Sequence, residues 1–203
     1  MPAVVRARLA TGVKHIYSAT FAFAAALRDG GVVVWGDALC GGSTVAVRDQ
    51  LATGVKDIYV SDRAFVAVKL DGSVLAWGDP EYGGDCDAHR DQLVGGVQFV
   101  TSTESAFAAR KSDGNVVAWG DRCSGGDSDG VRAQLTDVQQ IYSNELAFAA
   151  VKSSGRVVTW GAHASGFSGQ VQAQLDAGVE TIYSAADAFC AVKSDGSVVT
   201  WGS

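Results

Sequence analysis

Proline and histidine are nearly absent from this 203-residue chain, with 2 Pro and 3 His, and charged residues make up only 19%. Low charge beside 47% hydrophobic residues excludes a disordered chain. With so little Pro, the 25 Gly describe a compact, turn-rich β protein. Basic residues are outnumbered 16 to 22, for a net charge of -6, which disfavours nucleic acid as a partner because phosphate binding draws on clustered Lys and Arg. No apolar run approaches the roughly 18 residues of a membrane span, so no membrane insertion is expected. The N-terminal stretch MPAVVRARLATG lacks the apolar core of a secretory signal.

Cysteine is scarce too. Cys40, Cys86, Cys123 and Cys190 form no C-x-x-C pair or other zinc-like spacing. Cys40, Cys86 and Cys123 fall in comparable positions of successive repeats, too far apart to be bridged without backbone movement. Unpaired thiols, and with them the cytoplasm or another reducing compartment, are the expectation.

What is present is repetition. Trp-Gly recurs at Trp35, Trp77, Trp119, Trp160 and Trp201, at spacings of 42, 42, 41 and 41. Three further columns keep that period: Leu9, Leu51, Leu93, Leu135 and Leu175; Phe23, Phe65, Phe107, Phe148 and Phe189; and turn glycines at 30, 72, 114, 155 and 196. A fixed period of this length means a propeller, a solenoid or an array. The copies run approximately 1–36, 37–78, 79–120, 121–161 and 162–203, read as one repeat domain over 1–203.

Within a copy, AFAAVK-SDGS-VVTWG predicts a β-hairpin, because Asp-Gly supplies the positive φ of a tight turn. GVxxIYS, β-branched and aromatic, predicts a third strand. Segments such as VRAQL place Val131 and Leu135, or Val171 and Leu175, four apart on one helix face, whereas TVAVR in the second copy alternates like a strand. A single helical turn or an outer strand is expected there. Alanine follows the Phe column at Ala24, Ala25, Ala108, Ala109, Ala149 and Ala150, where neighbouring sheets must crowd together. The Trp column reads as core packing, at roughly 2–3 kcal/mol of apolar burial per ring.

The two ends match: VVRARL aligns with VAVRDQL, and the chain reaches WGS just after a hairpin. The terminal copies are as regular as the middle ones, whereas solenoids carry atypical polar caps. The expectation is an all-β, five-bladed β-propeller of about 42-residue repeats, three strands per blade plus the short extra segment, with the ring closed between the N- and C-terminal half-repeats and the protein a monomer.

AxKSDGSVVTWG, followed by a Gly-rich loop, resembles the regulator-of-chromosome-condensation repeat, which also builds propeller-type β-lactamase inhibitor proteins. The resemblance covers nearly the whole chain and is carried mainly by DGxVxxWG. It implies a propeller, usually of seven blades, and raises guanine-nucleotide exchange as an activity. The family's Gly-x-x-His is replaced here by Ser-Ala-Thr-Phe-Ala-Phe or Ser-Asn-Glu-Leu-Ala-Phe, and the strict period leaves no room for a singular inserted wedge.

No catalytic constellation is visible. His15, His89 and His163 occupy different positions in their repeats, and no G-x-S-x-G, HExxH, P-loop or G-x-G-x-x-G occurs. Asp29, Asp71, Asp113 and Asp195 recur as turn formers. GGDCD at 83–87 and GGDSDG at 125–130 have too few ligands for Ca²⁺. Arg6, Arg48, Arg90 and Arg132, with Gln172 in the last copy, either form an anion-binding belt or pair with neighbours such as Asp49 and Asp91. No enzyme activity, metal or cofactor is expected.

The copies differ most in the loops after Trp-Gly, and loops on a rigid scaffold carry function. Tyr82, Arg122, His163 and Phe167 are the distinctive residues there and the candidate binding site for an unknown protein partner. The alternative is a lectin-like carbohydrate binder using the column Tyr17, Tyr59, Tyr142 and Tyr183.

Overall fold

The structure, a computed structural model, describes residues 3–45, 47–162, 166 and 168–202. It is all-β in its regular core, with five three-stranded antiparallel sheets, each in simple sequence order. Sheet I holds β1 (Val13–Ser18), β2 (Ala22–Leu27) and β3 (Val32–Gly36); sheet II holds β4 (Val55–Val60), β5 (Ala64–Lys69) and β6 (Val74–Gly78). Sheet III holds β7 (Val97–Ser102), β8 (Ala106–Lys111) and β9 (Val116–Gly120). Sheet IV holds β10 (Val138–Ser143), β11 (Ala147–Lys152) and β12 (Val157–Gly161), and sheet V holds β13 (Val179–Ser184), β14 (Ala188–Lys193) and β15 (Val198–Gly202). The chain divides into two compact units, Met1–Gln98 and Phe99–Ser203, which are taken separately. No helix among the described residues is long and apolar enough to cross a membrane.

The short extra segment is helical. Ala3–Leu9, Arg90–Leu93 and Gln172–Leu175 are α-helical and Arg132–Gln134 is a 3-10 turn. The alternation of TVAVR does not produce a strand, and described residues on either side of position 46 form turns. Four of the five segments deliver one Leu to the core: Leu51, Leu93, Leu135 and Leu175 are almost completely buried, whereas Leu9 is half-buried.

The hairpin turns are built as the Asp-Gly signal predicts. In sheet II the Gly72 amide donates to the Lys69 carbonyl and the Lys69 amide to the Ser73 carbonyl, while Asp71 accepts from both the Ser73 amide and hydroxyl. Gly72 has φ +77°, which an L side chain resists. A Cβ there would also sit 2.7 Å from the Gly96 amide nitrogen. Closeness of that kind ties sheet to sheet: the Val97 amide donates to the Gly72 carbonyl, and Val55 to Gly30, Val138 to Gly114 and Val179 to Gly155 in the same way.

Register places Phe opposite Trp in every hairpin, Phe23 to Trp35, Phe65 to Trp77, Phe107 to Trp119, Phe148 to Trp160 and Phe189 to Trp201. The rings stack at 5.1–5.6 Å, with interplanar angles of 11–25°. Each sheet has two unlike faces. One carries the large Leu, Ile, Phe and Trp side chains, and the other the small Ala and Val. In the first unit, Ala22, Ala24 and Val32 of sheet I pack with Leu51, Ile58, Phe65 and Trp77 of sheet II. In the second, Ala106, Ala108 and Val116 meet Leu135, Ile141, Phe148 and Trp160, and Ala147, Ala149 and Val157 meet Leu175, Ile182, Phe189 and Trp201. The crowding read from the Ala column is this large-into-small packing.

Burial along the same columns differs from sheet to sheet. Ile16 and Phe23 are 52% and 41% exposed, although their counterparts Ile58 and Phe65 are 4% and 0% exposed; Val198 and Tyr183 are 57% and 63% exposed.

Candidate functional site

One edge of each sheet gathers the turn between its first two strands and the loop after Trp-Gly. The Asp37 amide donates to the Phe21 carbonyl at 2.9 Å, Asp79 to Arg63 at 3.0 Å, Asp121 to Ser105 at 2.8 Å and Ala162 to Leu146 at 3.0 Å. Three of these loops are then capped by the carboxylate that follows Trp-Gly. Asp37 accepts from the Leu39 and Cys40 amides, Asp79 from the Glu81 amide, and Asp121 from the Ser124 amide and hydroxyl. The fourth loop has Ala162 in place of the Asp and Gly-Phe in place of Gly-Gly.

The consequence reaches the core. Gly41 and Gly125, at φ +96° and +95°, turn their carbonyls to accept from the indole Nε1 of Trp77 and Trp160 at 3.1 and 3.0 Å. Gly166 stands at the corresponding place in the fourth loop and is not in the left-handed region, and the buried Trp201 Nε1 has no partner among the described residues.

In the first unit the edge carries a cation–aromatic cluster. The Arg63 guanidinium lies 4.9 Å from the centroid of Tyr82 and 5.6 Å from that of Phe21, with Asp79 at 3.9 Å. Tyr82 is half-buried, and its carbonyl accepts from the hydroxyl of buried Ser61 at 2.8 Å, which fixes the loop beneath the ring. Phe21 is exposed. Arg stacked on aromatic faces is held without losing its remaining donors to a carboxylate fork, and such pairs contribute about 0.5–1 kcal/mol at exposed sites.

The four residues singled out by sequence fare differently. Tyr82 belongs to this cluster. Arg122 lies in the second unit, highly exposed, with its Nε donating to Asp127 at 2.8 Å across its own loop. The Asp129 amide first, and Arg122 after it, hold the Asp127 carboxyl below the usual carboxylate range. His163 and Phe167 lie outside the described residues. Phe21 and Arg63 were missed, although a signal existed: they replace the Ser105, Leu146 and Asp187 found at the same turn position in the other copies.

Other candidates are absorbed by local structure. Asp85 accepts from the Asp87 amide, Asp87 pairs with Arg90, and Asp127 accepts from the Asp129 amide, so these carboxylates serve as turn caps and ion-pair partners. No group of three or more His, Cys, Asp or Glu suited to a metal occurs among the described residues. Arg90 and Arg132 pair with the Asp three positions upstream, Asp87 and Asp129, rather than with an adjacent Asp. In the Tyr column, the Tyr142 hydroxyl meets Thr181 Oγ1 of the next sheet at 3.2 Å, and Tyr17 packs against the core shared by sheets I and II. The four cysteines are free, and Cys40 is buried.

The architecture is that of propeller proteins. Structural similarity extends to human WBSCR16 (TM-score 0.59, 14% identity, 94% of this chain and 61% of that one). It extends also to Prp20p of Saccharomyces cerevisiae (0.57, 15%, 99% and 61%) and to the CRINKLY WD40 ectodomain of the Arabidopsis thaliana receptor kinase ACR4 (0.59, 16%, 94% and 68%). These likenesses define the fold, with RCC1-like propellers among the neighbours, and the chain spans about three-fifths of the length of WBSCR16 and Prp20p. No family model matches the sequence, and no curated protein matches it.

Proposed function

We propose that this chain is a non-enzymatic propeller-type scaffold that binds a protein partner through its turn-and-loop edge, centred in the first unit on Phe21, Arg63 and Tyr82. The observation that carries this reading is the stacked cluster itself. Tyr and Arg are the residues most enriched where protein interfaces concentrate their energy, and aromatic anchors held rigidly lose little entropy on binding. The cluster sits where the copies diverge, whereas the repeated columns are consumed by packing. Prp20p, a structural neighbour, is described with binding properties toward Gsp1p and histones and in a complex with Kap60, so a scaffold of this architecture accommodates protein partners.

The test is comparative capture from native lysate with the wild type and with Phe21→Ala/Arg63→Ala/Tyr82→Ala, both confirmed folded by cooperative melting. A partner retained by the wild type and reduced at least about tenfold by the triple variant supports the edge as the site; that factor corresponds to losing about 1.4 kcal/mol. Equal retention by the triple variant contradicts it.

A further inference from the structure

We propose that the outer edge of sheet I is a docking groove for an extended acidic peptide segment of a partner, added as a further strand beside β3. The groove has a volume of about 660 Å³. Its floor is β3 at Val32–Val34. One wall is the helix Ala3–Leu9, through Val5 and Arg8, and the other is the segment 42–52, through Thr44 and Arg48. It is separate from the cluster of Phe21, Arg63 and Tyr82, none of which lines it.

Hydrogen-bond alternation along β3 decides which groups face the groove. The Leu27 amide donates to the Gly31 carbonyl and the Asp37 amide to the Phe21 carbonyl. Val33 and Trp35 therefore bond to β2, while Val32 and Val34 turn their amides and carbonyls outward. The Val32 amide donates to the Leu51 carbonyl at 2.9 Å. The Val32 carbonyl and both Val34 groups have no hydrogen-bond partner among the described residues. Unpaired edge groups of this kind are the template on which an extended segment adds.

Two other sheets use the same position differently. One period on, the geometry recurs within the first unit along Val74–Ala76, between Gln50 and Arg90, with a volume of about 600 Å³. There Arg90 is paired with Asp87, and the Lys69 ammonium donates to the Gln50 carbonyl at 3.0 Å. In sheet IV the chain fills its own edge. Gln172, at the Arg position, donates from Nε2 to the Val157 carbonyl at 3.3 Å, and its Oε1 accepts from the Ser168 hydroxyl at 2.8 Å. In sheet I, Val45 stands where Asp87 and Asp129 pair with the arginines of their copies. Neither Arg48 nor Arg8 has an ion-pair partner among the described residues, and Asp49 is the one carboxylate lining the groove. The free strand edge selects an extended main chain, and the two guanidiniums select a carboxylate. Val4 and Val45, both exposed, offer apolar contact to its other side chains.

A display library of random short peptides, selected on the full chain, tests this. Selection is expected to enrich segments that carry Asp or Glu among β-branched residues. The selected peptides are expected to bind at least about tenfold more weakly to Arg8→Gln/Arg48→Gln and to Val34→Pro, which deletes an outward amide and no bond to β2. Phe21→Ala/Arg63→Ala/Tyr82→Ala is expected to bind them unchanged, so failure of the groove and failure of that cluster are read separately. If Val34→Pro loses its cooperative melt, the arginine variant decides alone. Enrichment of no peptide, or of peptides without acidic residues, overturns the proposal, and so does unchanged binding by the arginine variant. Binding of free octanoate at the peptides' own strength overturns it as well, because the groove would then take small acids rather than a strand.

Discussion

Sheets I and II carry Ile, Phe and Trp at the same register, yet Phe65 is sealed and Phe23 is 41% exposed. Their hairpins stack Phe on Trp at the same 5.4 Å. The pair therefore forms within a sheet whether or not a neighbour covers it. Sequence sets which face is large and which small, and burial depends on the sheet that comes before. Stability should follow burial rather than residue type, and the comparison can be broken at several points.

The largest effect is expected at the Phe column. Phe65→Ala opens a cavity in the sealed interface and is expected to cost about 3–5 kcal/mol, whereas Phe23→Ala, already half in water, should cost about 1 kcal/mol or less. Denaturant titration of both variants measures the difference, and equal losses would remove the distinction between the sheets. Next comes the indole hydrogen bond. Trp160→Phe deletes a donor satisfied by the Gly125 carbonyl and strands that acceptor, at about 1–2 kcal/mol beyond the loss of ring area. Trp201→Phe removes a donor with no described partner and should lose only the area, so the two melting shifts should differ.

A smaller effect of opposite sign is expected at Asp137. Its φ of +57° stands where the other copies have Gly12, Gly54, Gly96 and Gly178 at +75° to +82°. Asp137→Gly removes left-handed strain and is expected to raise stability by about 0.5–1 kcal/mol in a thermal melt. The smallest effect is that of pH. The hydroxyls and amides of Ser73 and Ser197 hold the Asp71 and Asp195 carboxyls low. The folded value lies below the unfolded one, so this stabilisation is complete above the unfolded value near pH 4 and is lost as pH falls through the folded value. The hairpin of sheet IV has Ser154 at that position, and Ser154→Asp should extend the acid sensitivity to it.

Much of the fold is legible in the sequence because its columns are periodic and each has one physical task. Leu seals the interface, Phe and Trp stack, Asp-Gly turns the hairpin, and Ala admits the neighbour. The site was half legible. Tyr82 stood out as a loop residue, but Arg63 and Phe21 belong to two successive turns; the Asp79 amide bonds the Arg63 carbonyl beside that loop, and the Thr20 amide bonds the Asp62 carbonyl to bring the two turns together. No spacing in the sequence encodes those contacts.

Site-resolved thiol labelling of the native chain tests most directly the claim that protection follows large-into-small packing between sheets rather than residue type. Cys40 is buried in the sheet I–sheet II interface, whereas Cys190 on β14 of sheet V is half-buried. In dilute solution Cys190 is expected to react with a small alkylating reagent many times faster than Cys40. Equal protection of Cys190 and Cys40 at high dilution would contradict the account.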